Sequence, residues 1–168
     1  PSGSMICGYR STYPPSVGGL TQAFMKNITS GEITDLGLYN GGSTNAADMN
    51  ETGTVTGSMT IAAAIGFPYL WQNGQFTVLP SLAGIETYPQ GINNVNDIVG
   101  WSAVPQNTWP FQGNHACLWR GGRLIDLGIL PGGNRSVAIA INSEGTVVGL
   151  SRYLTQSITI DHGFIWHN

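Results

Sequence analysis

Three stretches of this chain share one pattern, at residues 22–60, 67–105 and 115–153, and a fourth copy begins at 162–168. Self-similarity constrains a fold more than composition does, because every copy has to build the same local unit. The copies start 45, 48 and 47 residues apart, which is the period of a four-stranded β unit and too long for a leucine-rich repeat. The chain also opens on the end of a unit. Met5-Ile6-Cys7-Gly8 matches Thr54-Val55-Thr56-Gly57, Asp97-Ile98-Val99-Gly100 and Thr146-Val147-Val148-Gly149, so residues 5–10 correspond to the last strand of a preceding copy.

Each copy reads as four short strands. The first is an aromatic and aliphatic run, Ala23 to Met25, Tyr69 to Trp71 or Cys117 to Trp119. Asn73-Gly74 and Gly121-Gly122 follow it, pairs that supply the positive φ of a two-residue hairpin. The second strand is Glu32 to Leu36, Gln75 to Leu79 or Arg123 to Leu127, and a longer connection leads to the third. That third strand ends at Met49-Asn50, Ile92-Asn93 or Ile141-Asn142, where the Asn opens a tight turn. The Val-Gly strand closes the unit. Apolar runs of strand length, with turn residues every 8 to 12 positions and no 3.6-residue period, predict an all-β fold. The expected architecture is a β-propeller-like array of four-stranded antiparallel units forming a single repeat domain over 1–168, with a β-trefoil as the alternative. Uncovered strand edges and faces at both ends of such an array predict that copies assemble or that the native protein continues further.

Composition narrows the function. Only 9% of residues are charged, against roughly 25% in an average soluble domain, and the net charge is −3. The six basic residues Arg10, Lys26, Arg120, Arg123, Arg135 and Arg152 are scattered singly, which leaves no footprint for a phosphate backbone, and nucleic acid is not an expected partner. No apolar run reaches the 18 residues that a membrane-spanning helix requires.

The recurring elements are His115-Ala116-Cys117-Leu118-Trp119 and His162-Gly163-Phe164-Ile165-Trp166, Asp-Leu-Gly at 35–37 and 126–128, and the run from Ile141 to Gly149. Together they resemble the bacterial extracellular repeats named HAF after His-Ala-Phe. The match is good in the third unit; unit one has Gln22 and Met25-Lys26 in place of His and Leu-Trp, and unit two has Val78-Leu79-Pro80 in place of Asp-Leu-Gly. The resemblance implies an exported, extracellular protein built from repeats, and carries no reaction with it.

In an up-and-down unit the connections from strand two to three and from four to the next unit emerge on one face. These are the long, variable connections, and variable loops on a rigid scaffold are where binding concentrates. The candidate ligand-binding residues are therefore Trp109, Phe111, Tyr88, Tyr153 and Arg135, with Tyr39 and Tyr13 beside them. Aromatic faces next to amide and guanidinium donors suit a sugar ring, and the same residue types dominate protein interfaces. A protein partner or self-assembly is the leading expectation, and a glycan ligand is the alternative.

Other conspicuous residues have structural readings. Trp71, Trp119 and Trp166 share one repeat position and are expected to pack between units, whereas Trp101 and Trp109 lie outside that register. His115 and His162 also recur and are expected to hydrogen-bond a neighbouring unit, while Asp35 and Asp126 are expected to hold backbone N–H groups of the adjoining turn. Cys7 and Cys117 fall in different strand positions of distant units, so two buried thiols are expected rather than a disulfide. No nucleophile elbow, Cys-x-x-Cys pair or phosphate-binding loop is present in the sequence. No enzymatic activity, metal or cofactor is predicted.

Overall fold

A computed structural model describes residues 4–11, 19–61, 65–83, 86–105, 113–154 and 158–167. Fourteen antiparallel strands form four sheets, with no helix among the described residues. Sheet I contains β1 (Met5–Ser11), β2 (Thr21–Asn27) and β3 (Ile33–Gly37). Sheet II contains β4 (Ser43–Met49), β5 (Val55–Ile61), β6 (Ile65–Gln72) and β7 (Gln75–Val78). Sheet III contains β8 (Thr87–Ile92), β9 (Ile98–Ala103), β10 (Asn114–Arg120) and β11 (Arg123–Gly128), and sheet IV contains β12 (Arg135–Ile141), β13 (Val147–Leu154) and β14 (Thr159–Trp166). Strands follow chain order within every sheet, so each sheet is a meander.

Local chemistry accounts for the hairpins. Gly121 and Gly122 take φ of 57° and 76° between β10 and β11, the double positive φ that matches a two-residue turn to the twist of its strands. At the β12–β13 turn Asn142 Oδ1 accepts from Glu144 N and Thr146 N, and Asn50 and Asn93 close their turns in the same way.

Sheets and sequence repeats are out of phase by two strands. Sheet II joins the last two strands of the unit at 22–60 to the first two of the unit at 67–105, and sheet III joins 67–105 to 115–153 in the same manner. Each repeat therefore begins in one sheet and finishes in the next, so the covalent chain ties neighbouring sheets together.

The sheets pack face to face in chain order over three apolar clusters. Between sheets I and II lie Ala23, Met25, Leu36, Met49, Val55, Met59, Tyr69 and Trp71. Leu79, Ile92, Ile98, Cys117 and Trp119 lie between II and III, and Val99, Ala116, Leu118, Ala138 and Val147 between III and IV. Trp71, Trp119 and Trp166 all face these layers, as their shared position predicted.

The recurring glycine of the Val-Gly strand is a steric requirement. Gly57, Gly100 and Gly149 pair with Ala46, Pro89 and Ala138, each beside a bulge in the first strand of the sheet. A Cβ on Gly57 would lie 1.9 Å from Asn45 O, and on Gly100 2.2 Å from Tyr88 O. The bulged backbone occupies the volume that a side chain needs.

Candidate binding surface

Two polar latches hold successive sheets in register. The first is a hydroxyl at the start of β4, β8 and β12: Thr44, Thr87 and Ser136, all buried. Thr44 Oγ1 accepts from Ala23 N of sheet I (3.0 Å) and donates to Gly37 O (2.7 Å); Ser136 Oγ accepts from Ala116 N of sheet III (2.7 Å) and donates to Gly128 O. In both cases the N–H belongs to a residue at a β-bulge, which frees it from the ladder. Between sheets II and III the corresponding residue is Pro68, which has no N–H, and the Thr87 hydroxyl bonds Ser102 Oγ instead (2.9 Å). The carbonyl in that register, Pro80 O, accepts from the Trp119 indole (2.8 Å).

The second latch is an asparagine ladder. Asn50 Nδ2 donates to Asn93 O (3.1 Å), and Asn93 Nδ2 donates to Asn142 O (3.0 Å). One side chain thus closes its own turn with the oxygen and holds the next sheet with the nitrogen. Asn50 and Asn93 are buried; Asn142, on sheet IV, is exposed, and among the described residues its Nδ2 has no acceptor.

The same asymmetry runs across the far face of sheet IV. Met25, Leu70, Leu118 and Ile165 share one repeat position, as do Cys7, Thr56, Val99 and Val148. Leu118 and Val99 are fully buried against sheet IV, whereas Ile165 is 73% exposed and Val148 42% exposed. Ile139 and Leu150 on this face are exposed as well. Scattered exposed aliphatics are ordinary, but a contiguous set on one sheet face marks an interaction surface.

A cleft of about 350 Å³ adjoins this face, lined by Trp101 and Asn114 of sheet III and by Arg135, Val137, Ile139, Leu150, Arg152 and Asp161 of sheet IV. Arg152 and Asp161 pair through two hydrogen bonds of 2.5 and 2.6 Å. This guanidinium holds the Asp161 carboxyl below its ordinary pKa, with Arg135 contributing through its charge. Asn114 Nδ2 is committed to Ser136 O, and the Trp101 ring is backed by Tyr88 with centroids 4.8 Å apart.

Of the sequence-predicted contacts, Arg135 lines the cleft and Tyr88 supports it from behind. Tyr153 does not line it; its hydroxyl donates to Pro131 O and its ring meets His162 at 4.7 Å. Tyr39 packs edge-on against Phe76 beside the first apolar cluster, which is a packing role. Trp109, Phe111 and Tyr13 lie outside the described residues. Three of these positions also differ from the expected loops: Tyr88, Arg135 and Tyr153 belong to strands β8, β12 and β13, because ladder pairing extends through them to Trp101, Arg152 and Ile160. Trp101, Arg152 and Asp161 were not singled out as contacts. The strand alternation that points Val99 towards sheet IV points Trp101 the same way, and that signal was available.

His115 finds its partner within its own sheet rather than in a neighbouring one: Nδ1 lies 2.9 Å from both Asp126 oxygens. Asp126 also accepts from Gly128 N, as expected of the adjoining turn. In sheet I, where Gln22 replaces the His, Arg10 reaches the equivalent Asp35 at 2.8 and 2.6 Å. The aspartate at this position bonds a nitrogen of whichever side chain a neighbouring strand supplies, imidazole or guanidinium.

Cys7 and Cys117 are free thiols in sheets I and III. Burial, then the charge of Asp126, pushes Cys117 up from 9.0 to about 12; burial, then Asp48, pushes Cys7 up to about 11. Both folded values exceed the unfolded one, so the contribution to stability is complete below about pH 9 and is lost as pH rises towards 12. Urea midpoints are expected to be level up to about pH 8.5 and to fall above it, with the native thiols inert to a disulfide reagent until the chain unfolds. A native chain that reacts at the rate of a free thiol at pH 8 would contradict this.

Comparison with known protein families, with characterised proteins and with solved structures finds no match to this chain.

Proposed function

We propose that this chain is a non-enzymatic binding or scaffold module, a propeller-like array working outside the cell, whose active surface is the far face of sheet IV. One observation carries the reading. Positions that are buried or partly buried at the preceding sheet junctions, mostly by apolar residues, are exposed on β13 and β14. Covering such a face is favourable by roughly 25 cal/mol per Å² of apolar surface, and the ordered β scaffold has little conformational entropy left to lose on docking.

Light scattering over a range of protein concentrations tests the reading. The mass is expected to rise with concentration, and Ile165→Asp or Val148→Asp, each placing a charge on the face, is expected to return it to the monomer value without lowering the melting temperature. A wild-type mass constant to millimolar concentration would overturn it.

A second reading has its own support. Trp101, stiffened by Tyr88 and flanked by Arg135 and Asn114, offers an apolar platform with planar donors, the combination that suits a sugar ring. A glycan array with wild-type and Trp101→Ala protein tests that reading directly.

A further inference from the structure

The three sheet junctions of this chain specify what the exposed face of sheet IV is shaped to receive. Every incoming sheet presents its first strand, β4, β8 or β12, to the strands of the sheet before it. These strands share a two-point pattern: a hydroxyl residue at the strand's start and an asparagine six residues later, Thr44 and Asn50, Thr87 and Asn93, Ser136 and Asn142. Both points work together where sheet IV meets sheet III. Ser136 Oγ takes the Ala116 N–H, while Asn142 O takes the Asn93 amide.

Sheet IV repeats the receiving half of this arrangement. Gly163 occupies the register of Ala23 and Ala116, and Asn142 that of Asn50 and Asn93. Gly163 is exposed where Ala23 and Ala116 are fully buried, and the Asn142 amide has no acceptor among the described residues. Between the two latch points lie the apolar residues Leu150, Val148 and Ile165, all exposed, with Leu150 also lining the 350 Å³ cleft. At the top of that track Asp161 stands where sheet III has Asn114, which there holds Ser136 O.

We infer that sheet IV is a receptor for the first strand of another sheet of this same repeat, recognised by a Ser or Thr hydroxyl over Gly163 and by the backbone carbonyl of the residue six positions further on, over the Asn142 amide. The occupant is a partner built from this repeat whose first strand is free, since β4, β8 and β12 of this chain are each already packed on the sheet before them; the hydroxyl selects it, because any residue supplies a backbone carbonyl to the Asn142 amide but only Ser or Thr in register also meets the Gly163 N–H. Pro68 is the internal control. Where the receiving residue has no N–H, the hydroxyl of the incoming strand turns to Ser102, so the first latch depends on a donor that Gly163 possesses and proline lacks.

This inference rests on the proposal that the face of sheet IV is an association surface, and the two can fail separately. The probe is a synthetic peptide with the sequence of residues 42–61, which carries Thr44 and Asn50, titrated into the intact labelled chain and followed by methyl and amide chemical shifts. Expected are shifts confined to Val148, Leu150, Gly163, Ile165 and Asn142, dissociation of any self-associated species, and affinity reduced about tenfold by Thr44→Val in the peptide, the order of one lost hydrogen bond with its buried donor left unpaired. Ile165→Asp in the protein should abolish binding, while Val78→Asp, exposed on the edge strand of sheet II, should not. If wild-type and Thr44→Val peptides bind equally well, the face binds strands but not by the hydroxyl latch, and the inference falls while the association surface stands. If the peptide does not bind yet Ile165→Asp still disperses the oligomer, the occupant is some other surface of a second copy, and the inference again falls. No peptide binding together with a concentration-independent monomer would remove both.

Discussion

Gly100→Ala and Gly57→Ala are each expected to lower the melting temperature by roughly 5–10 °C, whereas Gly8→Ala, at the same repeat position, is expected to change it by no more than about 2 °C. The contrast follows from one contact. In sheets II and III the bulged first strand passes directly over the glycine, so a new Cβ would meet Asn45 O at 1.9 Å or Tyr88 O at 2.2 Å, and backbone cannot rotate away as a side chain can. Relief requires displacing β4 or β8, which would strain the bulge and the latch residues Thr44 and Thr87 on the same strands. Overpacking of this type costs about 1–3 kcal/mol and sometimes more, and one kcal/mol moves the midpoint of a chain this size by about 2–4 °C. Among the described residues no strand of sheet I lies over Gly8; the nearest neighbour of a new Cβ there would be the Phe24 ring at 3.3 Å, the movable end of a side chain. Thermal unfolding of the three variants decides the matter. Equal losses at all three positions would show that the glycine is required by backbone conformation rather than by close approach.

Trp119→Ala is expected to destabilise the chain by about 3–5 kcal/mol, the usual cost of removing a large buried aromatic. The side chain is 1% exposed within the layer between sheets II and III, packed with Leu79, Ile92, Ile98 and Cys117, and its indole N–H donates to Pro80 O. Trp119→Phe keeps most of the volume and removes the hydrogen bond, and should cost about 1–2 kcal/mol, from the bond plus the unfilled part of the site. Trp71→Phe is expected to cost less than Trp119→Phe. Trp71 Nε1 is buried without a partner among the described residues, while the carbonyl in the matching register, Gly37 O, accepts from Thr44. Urea titrations of the set test this ordering. A Trp71→Phe loss as large as that of Trp119→Phe would show that packing, and not the indole hydrogen bond, separates the two sites.

Strand positions were legible in the sequence because strand and turn signals are local. An Asn whose oxygen closes its own turn, a Gly-Gly hairpin and an aromatic run that alternates faces each report on a few neighbouring residues, and the repeat multiplied the evidence. Ser136 and Thr87 gave no such signal, because a hydroxyl near the start of a strand looks like any surface residue until the bulged N–H across the junction is in place. The phase of the sheets was equally hidden. A periodic pattern fixes the order of strands but not the point at which the cycle is cut, and only hydrogen bonding shows that each sheet is assembled from the halves of two repeats. The aromatic candidates divided for the same reason. Sequence distance placed Tyr39 and Tyr88 together as loop residues, but packing set Tyr39 against Phe76 and Tyr88 behind Trp101. The sequence alone therefore determined the all-β character, the turns and the repeat, whose causes lie within a few residues of each other. Tertiary structure decided which glycines are indispensable, which hydroxyls act as latches and which sheet face is open, since each depends on a backbone group contributed from elsewhere in the chain.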